Sequence, residues 1–90
     1  MIRVFVLYAE QPDPERYEQH VELSRRVVPD AEIRHGRILG GLPDPDAAQY
    51  FEFEFASRDA WKEAQPGLVA SGEDAQGLGV PLRVYFAEIE

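Results

Sequence analysis

The chain contains no cysteine, which excludes disulfide bonds and metal sites built on thiolate ligands. Basic residues are scarce: nine Lys and Arg stand against 17 Asp and Glu, for a formal net charge of −8. Because binding to nucleic acid is driven largely by neutralising phosphates, this balance argues against DNA or RNA as a partner. Long apolar runs are also missing, so we expect no membrane-spanning helix, no signal peptide, no membrane partner and a cytoplasmic location.

The length of 90 residues corresponds to one domain. A domain this small buries only roughly 60% of the surface that its unfolded chain exposes. Without disulfides, either very regular packing or self-association has to supply the missing stability. We therefore expect one domain over residues 1–90 that associates with a second copy of itself.

Hydrophobic patterns and turn residues predict two βαβ units in the order βαββαβ. Asp13, Pro14 and Glu15 provide an N-cap, a first-turn proline and an acid for the first helix. Residues 71–79, SGEDAQGLG, are typical of a surface loop. The predicted elements are a strand at 2–8, a helix from Asp13 to about Val28, a strand at 31–39, a strand at 49–55, a helix after Ser57 with a break near Pro66, and a strand at 80–89.

Two right-handed crossovers would place both helices on one face of an antiparallel sheet of order 4-1-3-2. The alternating segment QYFEFEF predicts that its three phenylalanines face the helices, together with the series Val80, Leu82, Val84 and Phe86.

The opposite sheet face would carry aromatic residues beside charges. We expect Glu52 or Glu54 to pair with Arg3 or with an arginine of the second strand. Stacking two such faces about a two-fold axis would bury the apolar residues and keep the charges paired. The alternative is a monomer whose amphipathic face is solvated.

Four segments together resemble the EthD family of the dimeric α+β barrel group. They are the opening MIRVFVLY, the segment RYEQHVEL with Tyr17, His20 and Leu23, Tyr50 at the third strand, and FASRDAW, residues 55–61. The resemblance covers nearly the whole chain. It implies an α+β, ferredoxin-like βαββαβ sheet with two helices on one face, forming a dimeric α+β barrel.

The resemblance and the inward stripe of the first helix both single out His20. A histidine titrates near neutrality and can act as a general acid or base. Tyr17, one helical turn earlier, is the second candidate catalytic residue. The other reading is that both are packed core side chains. The candidate substrate-binding residues, which would supply aromatic walls or a pocket mouth, are Tyr50, Trp61, Tyr85 and His35.

Other kinds of site find little support in the sequence. A metal site from His20, His35 and Glu52 or Glu54 lacks the usual ligand spacing, so we expect no metal and no cofactor. Gly40 and Gly41 match no phosphate-binding motif. No nucleophile-elbow motif accompanies the serines, which argues against serine hydrolysis. An acylphosphatase-like activity would need a phosphate-cradling loop after the first strand, where the chain is acidic and rich in proline.

The expected function is binding of a small apolar or aromatic molecule by a homodimer. If the protein is an enzyme, cofactor-free oxidation of the monooxygenase type or isomerisation is the expected reaction. The alternative is a non-catalytic binding or assembly module of the same fold.

Overall fold

A computed structural model describes all residues, 1–90. It contains a four-stranded antiparallel sheet and three helices, with none of the helices long and apolar enough to cross a membrane. The elements in chain order are β1 (Ile2–Tyr8), α1 (Pro14–Val27), β2 (Glu32–Arg37), β3 (Gln49–Phe55), α2 (Arg58–Glu63), α3 (Gln65–Gln76) and β4 (Leu82–Glu88).

The two predicted helix starts are confirmed by their capping bonds. The Asp13 carboxylate accepts a hydrogen bond from the backbone N–H of Arg16, and Pro14 occupies the first turn of α1. The Ser57 hydroxyl accepts one from the backbone N–H of Ala60 at the start of α2. In each case a side-chain oxygen satisfies an N–H that has no partner within the helix.

The strand order is β2-β3-β1-β4, which is the predicted order read from the other edge. All three neighbouring pairs are antiparallel. In the register of β1 with β3, Val4 lies opposite Phe53 and Arg3 lies opposite Glu54. Because side chains alternate across a strand, this register places the buried apolar pairs on one face and the charged partners, with Phe5 and Leu7, on the other.

The core lies between the helices and the apolar sheet face. The phenylalanines of β3 are at most 2% exposed, as predicted. The buried stripe of α1 also packs against them as predicted, so the α+β, ferredoxin-like fold class is confirmed. The residues of this core are Ile2, Val4, Val6, Tyr8, Tyr17, Val21, Val28, Ile33, Phe51, Phe53 and Phe55.

The prediction of a surface loop at 71–79 is wrong for most of that segment. Residues 71–76 form the second half of α3, and Ser71 and Ala75 are buried in it. The predicted break near Pro66 is confirmed, because the two helices meet at Ala64 and the proline lies in the first turn of α3. A first-turn proline loses no helical hydrogen bond, so it starts this helix rather than ending one.

The predicted cover over the last strand is incomplete. Val84 and Phe86 are 43% and 61% exposed, although they lie on the helix-facing side of β4. α1 and α3 pack against each other, and β4 is the edge strand beyond β1. The second strand is shorter than predicted, since it ends at Arg37 and Leu39 is 99% exposed.

Candidate functional site

The contact between α1 and α3 carries a row of polar pairs. Arg16 and His20 of α1 both bond Asp74 of α3, and Ser24 bonds Ser71 one turn further along. The row ends where Gly67 lies against the last turn of α1, and a Cβ at this glycine would overlap the backbone carbonyl of Val27. Because glycine has no side chain, Gly67 permits the close approach of α3 to α1 that brings these pairs into bonding distance.

His20 is held by a carboxylate that is itself held by an arginine. The ring is 1% exposed, and its Nδ1 lies 2.8 Å from Oδ2 of Asp74. The Arg16 guanidinium donates to both oxygens of the same carboxylate, at 2.6 and 3.3 Å. With the proton on Nδ1 donated to Asp74, Nε2 carries the lone pair, and no protein group bonds it.

Burial of His20 and the hydrogen bond from Arg16 to Asp74 together favour a neutral imidazole beside an ionised carboxylate. Burial lowers the pKa of His20 below its ordinary value, and the hydrogen bond to Asp74 opposes that shift without cancelling it. The hydrogen bond from Arg16 lowers the pKa of Asp74, and the bond from His20 adds to this effect while burial opposes it. A neutral histidine with an oriented ring and a free lone pair is suited to accept a proton.

His20 lines a groove between α3 and the helix-facing side of β1 and β4. The cavity has a volume of about 180 Å³ and is lined mainly by apolar side chains. Like His20, Ser71 belongs both to the row of polar pairs between the helices and to the lining of the groove. The exposed part of β4 forms the outer wall. Apolar residues in the wall include Val4, Phe53, Leu68, Leu82, Val84 and Phe86.

An aromatic cluster surrounds the other side of His20. Tyr17 is buried, and its ring lies 6.3 Å from the His20 ring and 5.5 Å from the ring of His35. His35 is exposed and stacks on Phe51 with ring centroids 5.8 Å apart. The side of the His35 ring that packs on Phe51 is shielded from water, which lowers the pKa of His35, and the nearby Arg25 lowers it further. The structure thus brings together the two candidate catalytic residues and His35.

Trp61 stands apart from this cluster. Its ring packs on Phe86, with centroids 5.7 Å apart, next to the outer wall of the groove. Its indole nitrogen is buried without a hydrogen-bond partner. Trp61 therefore supports the wall through Phe86 and does not line the groove itself.

The other two candidate substrate-binding residues lie on the opposite sheet face. Tyr50 lies opposite Leu7 in the sheet, and Tyr85 lies opposite Phe5. Tyr85 borders a separate hollow beside Leu7 and Arg83. The prediction that Tyr50 and Tyr85 wall the same cavity as His20 is wrong, because the alternation along their strands directs them away from the helices.

The charged network on this opposite face is confirmed. Arg3 bonds Glu54 at 2.7 Å, while Arg34 of β2 bonds both Glu52 and Glu54 at 2.9 Å. Hydrogen bonds from the two arginines lower the pKa of Glu54. The glutamates thus act as partners for the arginines, and no group of three or more His, Asp or Glu side chains is arranged to hold a metal ion.

Sequence reasoning missed Asp74, Arg16 and Ser71. Asp74 and Ser71 fell in the segment assigned to a loop, so they had no helix face to share with His20. A signal was available: Ser71, Asp74 and Ala75 have the i, i+3, i+4 spacing of one helix face. The glycines at 72, 77 and 79 obscured that spacing.

A scan of protein-family models and a search of curated protein sequences found no match for this chain. Solved structures do match it. An EthD-family protein from Bacillus halodurans superposes with a TM-score of 0.77 at 20% identity, covering 100% of this chain and 99% of that one. A dimeric ferredoxin-like protein of unknown function from Thermobifida fusca gives 0.67 at 16% identity, covering 98% and 90%. SnoaB from Streptomyces nogalater, a cofactor-independent oxygenase, gives 0.63 at 13% identity, covering 99% and 92%.

The chain therefore has the ferredoxin-like α+β fold. The predicted resemblance to EthD proteins is confirmed at the level of that fold, over the full length of the chain. Identities of 20% and below establish the fold, and one fold supports many functions.

Proposed function

We propose that this protein binds a small apolar or aromatic molecule in the groove and that His20 accepts a proton from it. One observation carries the proposal: a buried imidazole is fixed through Nδ1 by Asp74, while its ring borders an apolar groove. Sites for small molecules are typically apolar with a few placed polar groups. Asp74 would orient the ring and stabilise the imidazolium that forms when the proton arrives.

Proton removal is the chemistry that cofactor-free oxidation and isomerisation share. A conjugated anion can pass electrons to O₂, or it can take its proton back at another atom. One of the proteins with this fold, SnoaB, is a cofactor-independent oxygenase. The likeness supports oxidation as the first reaction to test and leaves isomerisation as the second.

We propose further that the active form is a homodimer joined through the charged sheet face. Tyr85 is 47% exposed on this face, next to half-buried Phe5 and Leu7. Aromatic and aliphatic groups of this kind favour burial against a second copy of the chain. The ion pairs that join β2, β3 and β1 can remain at the rim of such an interface. Two proteins with this fold are described as dimeric.

The reaction is tested with 1,4-dihydroxynaphthalene and an oxygen electrode. Oxidation would transfer two electrons and two protons from the hydroquinone to O₂, giving the quinone and hydrogen peroxide. Exchange of the α-protons of 1-tetralone in D₂O tests proton abstraction without oxidation. We expect the wild type to accelerate at least one of these reactions.

The matched variants are His20→Gln and His35→Gln. Glutamine at position 20 can still donate to Asp74 but cannot accept a proton, so the rate should fall by about 10²–10⁴-fold. His35 does not line the groove and has no carboxylate partner, so the same change there should leave the rate within a few-fold of wild type. Equal rates in wild type and His20→Gln would refute the catalytic proposal and leave a binding module. Light scattering at several protein concentrations tests the dimer, and a stable monomer would refute it.

A further inference from the structure

Ser24 and Ser71 form a buried pair that has one hydrogen-bond donor too many. Their hydroxyl oxygens lie 2.7 Å apart, and they are 0% and 4% exposed. Each hydroxyl carries one proton, but one proton is enough for the bond between them. No other protein acceptor bonds either hydroxyl, so the second proton needs a partner outside the pair.

The two serines differ in where a second proton can go. Ser24 is enclosed between α1 and α3, where an unsatisfied donor carries the full cost of desolvation. Ser71 lines the groove. The arrangement of lower energy therefore has Ser24 donating to Ser71, while the Ser71 hydroxyl turns its own proton into the groove.

This hydroxyl lies on the same helix contact as the His20–Asp74 pair and borders the same groove as His20. Ser71 precedes Asp74, the partner of His20, by three residues on α3, and Ser24 follows His20 by four on α1. The two polar pairs are thus about one helical turn, roughly 5 Å, apart. Gln65 and Gln76 also line the groove, where the Gln65 amide donates to the backbone carbonyl of Trp61, and the rest of the wall is mainly apolar.

We infer that Ser71 is a specificity-determining residue that donates a hydrogen bond to a carbonyl oxygen of the ligand, and that the ligand class is a hydroxylated aromatic carbonyl compound. This inference rests on the proposed function. The phenol proton moves to Nε2 of His20, and the electron pair of the O–H bond stays on the phenol oxygen. Conjugation then places part of the negative charge on the carbonyl oxygen, where the bond from Ser71 strengthens.

Two ligands and two variants separate this role from a structural one. 4-Hydroxyacetophenone has the phenol and the carbonyl, whereas 4-ethylphenol has nearly the same shape without the carbonyl. Ser24→Ala and Ser71→Ala both remove the bond between the helices, but only Ser71→Ala removes the hydroxyl donor that borders the groove. Dissociation constants are measured by NMR from the shift of the His20 ring signals.

We expect Ser71→Ala to reduce the preference for 4-hydroxyacetophenone over 4-ethylphenol by about five- to tenfold, the usual effect of one hydrogen bond. Ser24→Ala should keep the wild-type preference within about twofold. Equal losses in the two variants, or no loss in Ser71→Ala, would overturn the role of Ser71 while leaving His20 as the proton acceptor. If neither compound shifts the His20 signals of the wild type, the proposed function and this inference both fail.

Discussion

Replacing Gly67 with alanine is expected to push α3 away from the end of α1. The new Cβ would overlap the carbonyl group of Val27, which belongs to the backbone and cannot rotate aside as a long side chain would. Overfilling a packed contact costs about 1–3 kcal/mol. The better helix propensity of alanine returns at most about 1 kcal/mol. The net effect should be a loss of up to about 2 kcal/mol in the free energy of unfolding.

Gly72 provides the matched control in the same helix. No atom lies within 4 Å of the position that its Cβ would take. Gly72→Ala should therefore stabilise the domain by about 0.5–1 kcal/mol, because glycine is the poorer helix former. The same substitution thus has opposite signs at two positions five residues apart.

Thermal unfolding followed by circular dichroism measures both effects. Each 1 kcal/mol should shift the Tm by about 4–8 °C in a domain of this size. All samples need the same protein concentration, because association raises the apparent stability. A Gly67→Ala protein as stable as the Gly72→Ala protein would refute the argument that the glycine permits the close contact of the helices. In that case, glycine at position 67 would not explain why Asp74 lies beside His20.

Two further predictions concern buried polar groups. Burial lowers the pKa of His20 below 6.5, so as the pH falls the unfolded chain binds a proton at this residue before the folded chain does. The free energy of unfolding should therefore keep its full value above pH 6.5 and decline as the pH falls toward the pKa of His20 in the folded state. Urea unfolding between pH 8 and pH 5 measures this decline, and His20→Gln should make it shallower, leaving the contribution of His35, whose pKa is also lowered; an equally steep decline in that variant would assign it to other groups. Tyr8 is 0% exposed and its hydroxyl has no hydrogen-bond partner. Tyr8→Phe should therefore keep or raise the stability, by up to about 1 kcal/mol, and a loss above that size in chemical denaturation would show that the hydroxyl is bonded.

Local patterns were sufficient for most of the fold. Alternation in QYFEFEF defined the two faces of β3, and Asp13 with Pro14 defined the start of α1. These features depend on residues that are neighbours in sequence, so periodicity and capping reveal them. The arginine partners of Glu52 and Glu54 followed once the strand order was known, because register carries alternation from one strand to the next.

The second half of α3 could not be predicted in the same way. Residues 71–79 contain three glycines, and their helix propensity is low. Packing against α1 stabilises the helix over residues 71–76, where Ser71 and Ala75 are buried and Asp74 bonds two side chains of α1. Tertiary contacts of this kind outweigh propensity, and the helical spacing of Ser71, Asp74 and Ala75 is the one local sign of them.

The order of the elements, the two faces of the sheet and the inward position of His20 on α1 can be predicted from the chain, because each depends on spacing between neighbouring residues. The contacts of His20 cannot, because they depend on how α1 packs against α3. Asp74 is 54 residues away in sequence and Ser71 lies 47 residues from Ser24. The close contact between α1 and α3 brings these groups together, and the uncovered edge of β4 leaves a groove beside them.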